Sequence, residues 1–118
     1  MGDVSVPLEF EEYMRRIRSR DPLTFEAAYT ELLPHVRAFV PELLLELERT
    51  PDAYTRAKVI ELLGDAQAKE AIPALARELT HTDQNVRQWA VTSLLCVGDP
   101  GADALVDEYR RTHPEEFE

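Results

Sequence analysis

The 118-residue chain is short of three things: cysteine, glycine and positive charge. Its single cysteine, Cys96, excludes an internal disulfide, so nothing in the sequence implies secretion. Its four glycines are isolated from one another, which leaves no Gly-rich loop of the kind that cradles phosphate. Thirteen Lys and Arg face 23 Asp and Glu, a net charge of −10 at pH 7. Only Arg15, Arg16, Arg18 and Arg20 cluster, so the basic footprint that nucleic acid or an anionic membrane requires is missing. Such a balance suits solubility and a basic partner. No apolar run approaches the ~20 residues of a membrane span. Met1 to Phe10 lack the positive start and apolar core of a signal peptide. Gly2 opens a near match to a myristoylation pattern, but Val6 stands where Ser or Thr is needed. The expected location is cytoplasmic. No stretch alternates strictly between apolar and polar residues, so no strand is predicted.

What the chain does have is helical periodicity, punctuated by eight prolines. The clearest unit starts at Asp83, an N-cap, carries Val86, Ala90, Leu94 and Val97 as one apolar stripe, and stops at Gly98-Asp99. Thirty-one residues earlier, Arg56, Val59 and Leu63 repeat Arg87, Ala90 and Leu94. The predicted helices are seven. The first covers residues 7–19, with Leu8, Phe10, Tyr13, Met14 and Ile17 inward and acidic residues before basic ones, as the helix dipole favours. The second starts at Asp21-Pro22, buries Phe25, Ala28, Tyr29, Leu32 and Leu33, and stops at Pro34. After a connection at residues 35–38, the third runs to Arg49 with Val40, Leu43, Leu44 and Leu47 inward. The fourth begins at Thr50-Pro51 and stops at Gly64-Asp65; the fifth covers residues 69–80 with Ile72, Leu75 and Leu79 buried. The sixth is the unit just described. The seventh, residues 102–112, buries Leu105, Val106 and Tyr109, and residues 113–118 are expected to fray. Residues 101–118 hold six acidic and two basic side chains, as suits the polar cap of a repeat array.

Helix pairs recurring every ~30 residues form a solenoid, because each pair buries its apolar side only by stacking on the next. The run Ala-Ile-Pro-Ala-Leu to Leu79, the Thr82-Asp83 turn, and Val86-Arg87…Ala90…Leu94…Gly98-Asp99 resemble the short HEAT repeats of the phycobilisome-lyase-like subgroup. The likeness covers residues 39–110 clearly; 7–34 would be a divergent N-terminal repeat. The resemblance implies an all-α fold, one α-solenoid domain over residues 1–118. It would hold about three and a half antiparallel helix pairs in a right-handed superhelix, with first helices on the convex side and second helices on the concave side. It also implies that Arg56 and Arg87 pair with the turn residues Asp52 and Asp83, as scaffold.

No reaction centre is legible. His35, His81 and His113 have no partner at metal-ligand spacing, and Cys96 lies among apolar residues as a small buried thiol. Ser93 has no base in sight. The pairs Glu11-Glu12 and Glu115-Glu116 diverge by about 100° on a helix. No catalytic residue, metal or cofactor is therefore expected. The candidate partner-binding residues lie on the concave face: Glu31, Tyr54, Lys58, Glu61, Gln88, Trp89 and Thr92. Glu31, Glu61 and Thr92 would stack in register. They read as a solvated or partner-facing strip, with an acid/base pair as the alternative. Trp89, repeat-mate of Lys58, reads either as cover for the core against the seventh helix or as an interface anchor, with Tyr54 beside it. The function expected is a non-catalytic protein-binding module, monomeric alone, whose partner is a protein with a basic surface. A small acidic inhibitor or immunity protein against a bacterial toxin such as a nuclease or deaminase is one such role. The alternatives are an accessory or lyase-like protein acting on a bound cofactor or modified protein, and a structural cap or spacer in a larger assembly.

Overall fold

The computed structural model describes residues 5–117; Met1 to Val4, Glu118 and the side chains of residues 5–8 lie outside it, and with them the place expected for Leu8. The described residues form seven α-helices and three short 3-10 turns, with no strand. The helices are α1 (Ser5–Ile17), α2 (Pro22–Leu32), α3 (Val40–Arg49), α4 (Ala53–Asp65), α5 (Ile72–Glu78), α6 (Gln84–Val97) and α7 (Pro100–Thr112). The 3-10 turns are Leu33–Phe39, Lys69–Ala71 and Pro114–Phe117.

Three aspartates set the repeat. Asp21, Asp52 and Asp83 are all extended at the backbone, and their carboxylates accept the amides of Thr24, Thr55 and Val86. Each satisfies one of the orphan N–H groups at a helix start. Their common spacing is 31 residues. The fourth helix thus begins at Asp52 and not at Thr50, whose buried hydroxyl is already spent on Glu46 at 3.0 Å. Pro41 and Pro73 sit in the first turns of α3 and α5, where a missing N–H costs nothing.

The expected connection at residues 35–38 is part of the Leu33–Phe39 turn, which buries Val36 and Phe39; Phe10 packs on Phe39 at 5.6 Å between ring centres. Leu33 itself is exposed, because the turn carries it off the α2 stripe. The fifth helix is shorter than predicted, the Lys69–Ala71 turn standing in for its first residues. In α7 the buried side is Ala102, Val106 and Tyr109; Leu105, expected with them, is 37% exposed beside the gap between α5 and α7.

Stacking gives a body of 49 × 28 × 22 Å, longer than it is wide, as a quasi-linear array should be. Its core runs through every repeat, from Met14 and Ile17 through Leu32, Leu43, Ile60 and Leu63 to Leu75 and Leu94, all without exposure. The most extensive packing of two helices is α4 on α6. Here Gly64, expected to stop α4, lies inside the helix and buried: a Cβ on it would stand 2.6–2.7 Å from Ser93. The Ser93 hydroxyl uses this closeness to reach the Ile60 carbonyl at 2.7 Å. Gly98 does stop α6, in the left-handed region at φ +73°.

Candidate protein-interaction face

The second helices of successive pairs, α2, α4 and α6, share one face. The 31-residue register carries Tyr54, Lys58, Glu61 and Asp65 of α4 onto Asn85, Trp89, Thr92 and Cys96 of α6. All eight are half-buried or exposed. Cys96 is accordingly exposed and not the buried thiol expected, since its neighbours Leu95 and Val97 do not share its side of the helix.

On the α2–α4 side, two cations are held over aromatic rings. Arg20 lies 4.5 Å from the centre of Tyr54 while its guanidinium also reaches Asp52 at 2.7 Å. Lys58 stands 4.2 Å over Phe25 and 5.3 Å from Tyr54. Such contacts hold long side chains in place as well as contributing about 0.5–1 kcal/mol each at exposed sites. Phe25 packs on Tyr29 at 5.4 Å, and the Tyr29 hydroxyl bonds to Asp65. Burial pushes the Glu61 carboxyl up, against the pull of Lys58 and with the help of Glu26. Burial alone raises Asp65. On α6, Asn85, Gln88, Trp89 and Thr92 line a shallow hollow of ≈160 Å³. Trp89 is half-buried with part of its ring against the core.

Glu31 does not join this face. The cap register places Thr30, not Glu31, opposite Glu61, and Glu31 turns to Arg16 of α1 at 3.1 Å. Gln88 sits one position off the ladder and touches the Glu116 carbonyl at 3.5 Å. Phe25, Tyr29, Arg20 and Asp65 belong to the face but were not among the expected residues. Part of their signal was available, in two pairs four apart on successive second helices: Phe25 with Tyr29, and Tyr54 with Lys58.

Behind the face the scaffold is tied by arginines, and differently from expectation. Arg56 donates to the carbonyls of Leu47 (2.8 Å) and Thr50 (2.6 Å) and holds Glu78 of α5 through two bonds of 2.7 and 2.8 Å. Arg87 donates to the carbonyls of His81 (2.8 Å) and Thr82 (3.0 Å), and binds Glu116 at 2.9 and 3.2 Å and the Tyr109 hydroxyl at 3.1 Å. Neither pairs with the turn aspartate. Asp52 and Asp83 are occupied in capping their own helices, and the guanidinium reaches past them to the unsatisfied carbonyls where the previous helix ends. Residues 113–117, expected to fray, are instead drawn in: the Pro114–Phe117 turn delivers Glu116 to Arg87, and the Tyr109 hydroxyl donates to the same carboxylate at 2.6 Å.

Among the described residues no three His, Cys, Asp or Glu side chains are grouped to hold a metal ion. None of the described helices is long and apolar enough to cross a membrane.

Helix pairs stacked in a fixed register with one shared outer face define an α-solenoid. The family model for HEAT repeats matches residues 40–117, well over half of the chain, and the chain belongs to the HEAT-repeat family. Repeats of this family generally mediate contacts between proteins and serve as scaffolds. Neither a curated protein nor a solved structure matches the chain.

Proposed function

We propose that the chain is a non-catalytic binding module that takes a protein with a basic surface on the α2–α4–α6 face, as a small inhibitor or immunity protein would. The observation that carries the reading is the Glu61 environment. Glu61 is a half-buried carboxylate whose ionised form is disfavoured by its own burial and by Glu26, and the one cation pulling the other way, Lys58, is already engaged over the rings of Phe25 and Tyr54. A cation brought by a partner relieves that cost, and the net charge of −10 speeds its approach. Tyr54, Trp89 and Tyr29 supply the aromatic area typical of interface anchors.

The test is capture from the host on immobilised chain, comparing Glu26→Lys/Glu61→Lys with Asp103→Lys/Asp107→Lys on α7. A basic protein lost by the first pair and kept by the second supports the reading. A partner indifferent to the first pair, or one that is nucleic acid, overturns it.

A further inference from the structure

The two knots differ in where their carboxylate comes from. Glu78 reaches Arg56 from the next first-position helix, α5. The position of α7 thirty residues on from Glu78 is Glu108, yet Glu108 pairs with Arg111 of its own helix, and Arg87 is met by Glu116 instead. The cleft between α5 and α7 stays open in consequence. It measures ≈590 Å³, against ≈250 Å³ for the one between α3 and α5. Leu79 and Leu105 form its apolar wall; Arg87, His81 and Tyr109 are among its polar lining, together with the carboxylates of Glu108 and Glu116.

We propose that this cleft is a second docking site, distinct from the α2–α4–α6 face, for an acidic segment of a partner protein carrying a carboxylate next to an aromatic residue, and that Glu116 occupies its inner end in cis, with Phe117 seated beside the cleft against Tyr109. The carboxylate is specified by three donor groups converging on one side chain: Arg87 Nε at 3.2 Å, its terminal nitrogen at 2.9 Å, and the Tyr109 hydroxyl at 2.6 Å. The aromatic is specified by the seat of Phe117, edge-on to Tyr109 at 6.0 Å and under Arg110 at 5.3 Å. The cis occupant is held chiefly by Glu116, whose side chain is 8% exposed; the rest of the turn, Pro114, Glu115 and Phe117, is exposed, so displacement gives up mainly the bonds that an incoming carboxylate would restore. The donors stay behind, fixed by the His81 and Thr82 carbonyls and by the burial of Tyr109. Room for more of a partner's chain is already present alongside Glu116.

The probe is the blocked pentapeptide His-Pro-Glu-Glu-Phe, titrated into the full chain and into Glu116→Ala, with binding read by calorimetry and by shifts of the Tyr109 ring resonances. A segment tethered by a short linker competes at millimolar effective concentration, so removing its carboxylate should tighten peptide binding by about tenfold or more. Replacing the second Glu of the peptide with Gln should weaken binding by at least about tenfold, the loss of a charged hydrogen-bond set. Tyr109→Phe in the Glu116→Ala background should weaken it further. Absence of binding to Glu116→Ala, equal binding to the unmodified chain, or indifference to the Gln peptide overturns the proposal. If Glu116→Ala melts, Glu116→Gln serves as the second variant, keeping the shape and removing the charge.

Discussion

Arg56 and Arg87 occupy the same place in successive repeats, are about equally buried (18% and 20% exposed), and face carboxylates that are also about equally buried (7% and 8%). They differ in what the carboxylate is attached to. Glu78 belongs to a helix packed into the core, whereas Glu116 belongs to a four-residue turn. A buried ion pair costs most to break when the abandoned partner has nowhere to go. Equal burial therefore does not mean equal importance, and the two knots should part company under mutation.

The sharpest break is Arg56→Met. It strands Glu78 in the interior and unpairs the Leu47 and Thr50 carbonyls, so the expected loss is about 3–5 kcal/mol in chemical denaturation. Gly64→Ala comes next. Alanine would favour the helix by about 1 kcal/mol, but its methyl would overlap the Ser93 backbone, and the net loss expected is about 1–3 kcal/mol. An unchanged midpoint for Gly64→Ala would mean that α4 and α6 are not held that close. Arg87→Met should cost only about 1–2 kcal/mol, because Glu116 can swing out to water. If it matches Arg56→Met, the contrast between the knots is wrong. The smallest effect is on pH. The Tyr109 hydroxyl first, then Arg87, hold the Glu116 carboxyl below its ordinary value of 4.5, with His113 adding to the pull. A depressed value means that this contact contributes fully above the ordinary value and is lost as pH falls through the folded one. The Tyr109 ring resonances should therefore move on acid titration below pH 4.5, and Glu116→Gln should remove that movement.

The same contrast explains what the sequence could convey. Caps and first-turn prolines act within three residues of themselves, so α2 and α6 are legible nearly to the residue, whereas Thr50-Pro51 imitates a cap and sets the start of α4 two residues early. Gly64-Asp65 and Gly98-Asp99 are the same dipeptide, but they stand 34 residues apart against a repeat of 31, so the place of Gly98 is taken by Gln67, which carries the left-handed backbone at φ +52° after α4. Gly64 serves a different end, the close approach of Ser93, 29 residues away in the chain. Arg87 was recognised as scaffold, but its partner lies 29 residues off, beyond any local pattern. Glu31 was misplaced by one residue of register, and one residue on a helix is a turn of about 100° toward Arg16. Of the candidate face, Tyr54, Lys58, Glu61, Trp89 and Thr92 lie on the shared stripes because periodicity alone puts them there. Arg20 joins it only through its left-handed backbone at φ +67°, which no spacing rule announces.

The near-touch of α4 and α6 has a mechanical corollary. Where backbones meet at one point with a lone hydrogen atom between them, that point is a pivot, and the separation on either side of it sets how sharply the array bends. Side chains at this one position act as a wedge: widening it would open the angle between neighbouring hairpins and flatten or tighten the whole arc. The size of the side chain at this position is thus expected to set how closely α4 and α6, the two most extensively packed helices, approach each other.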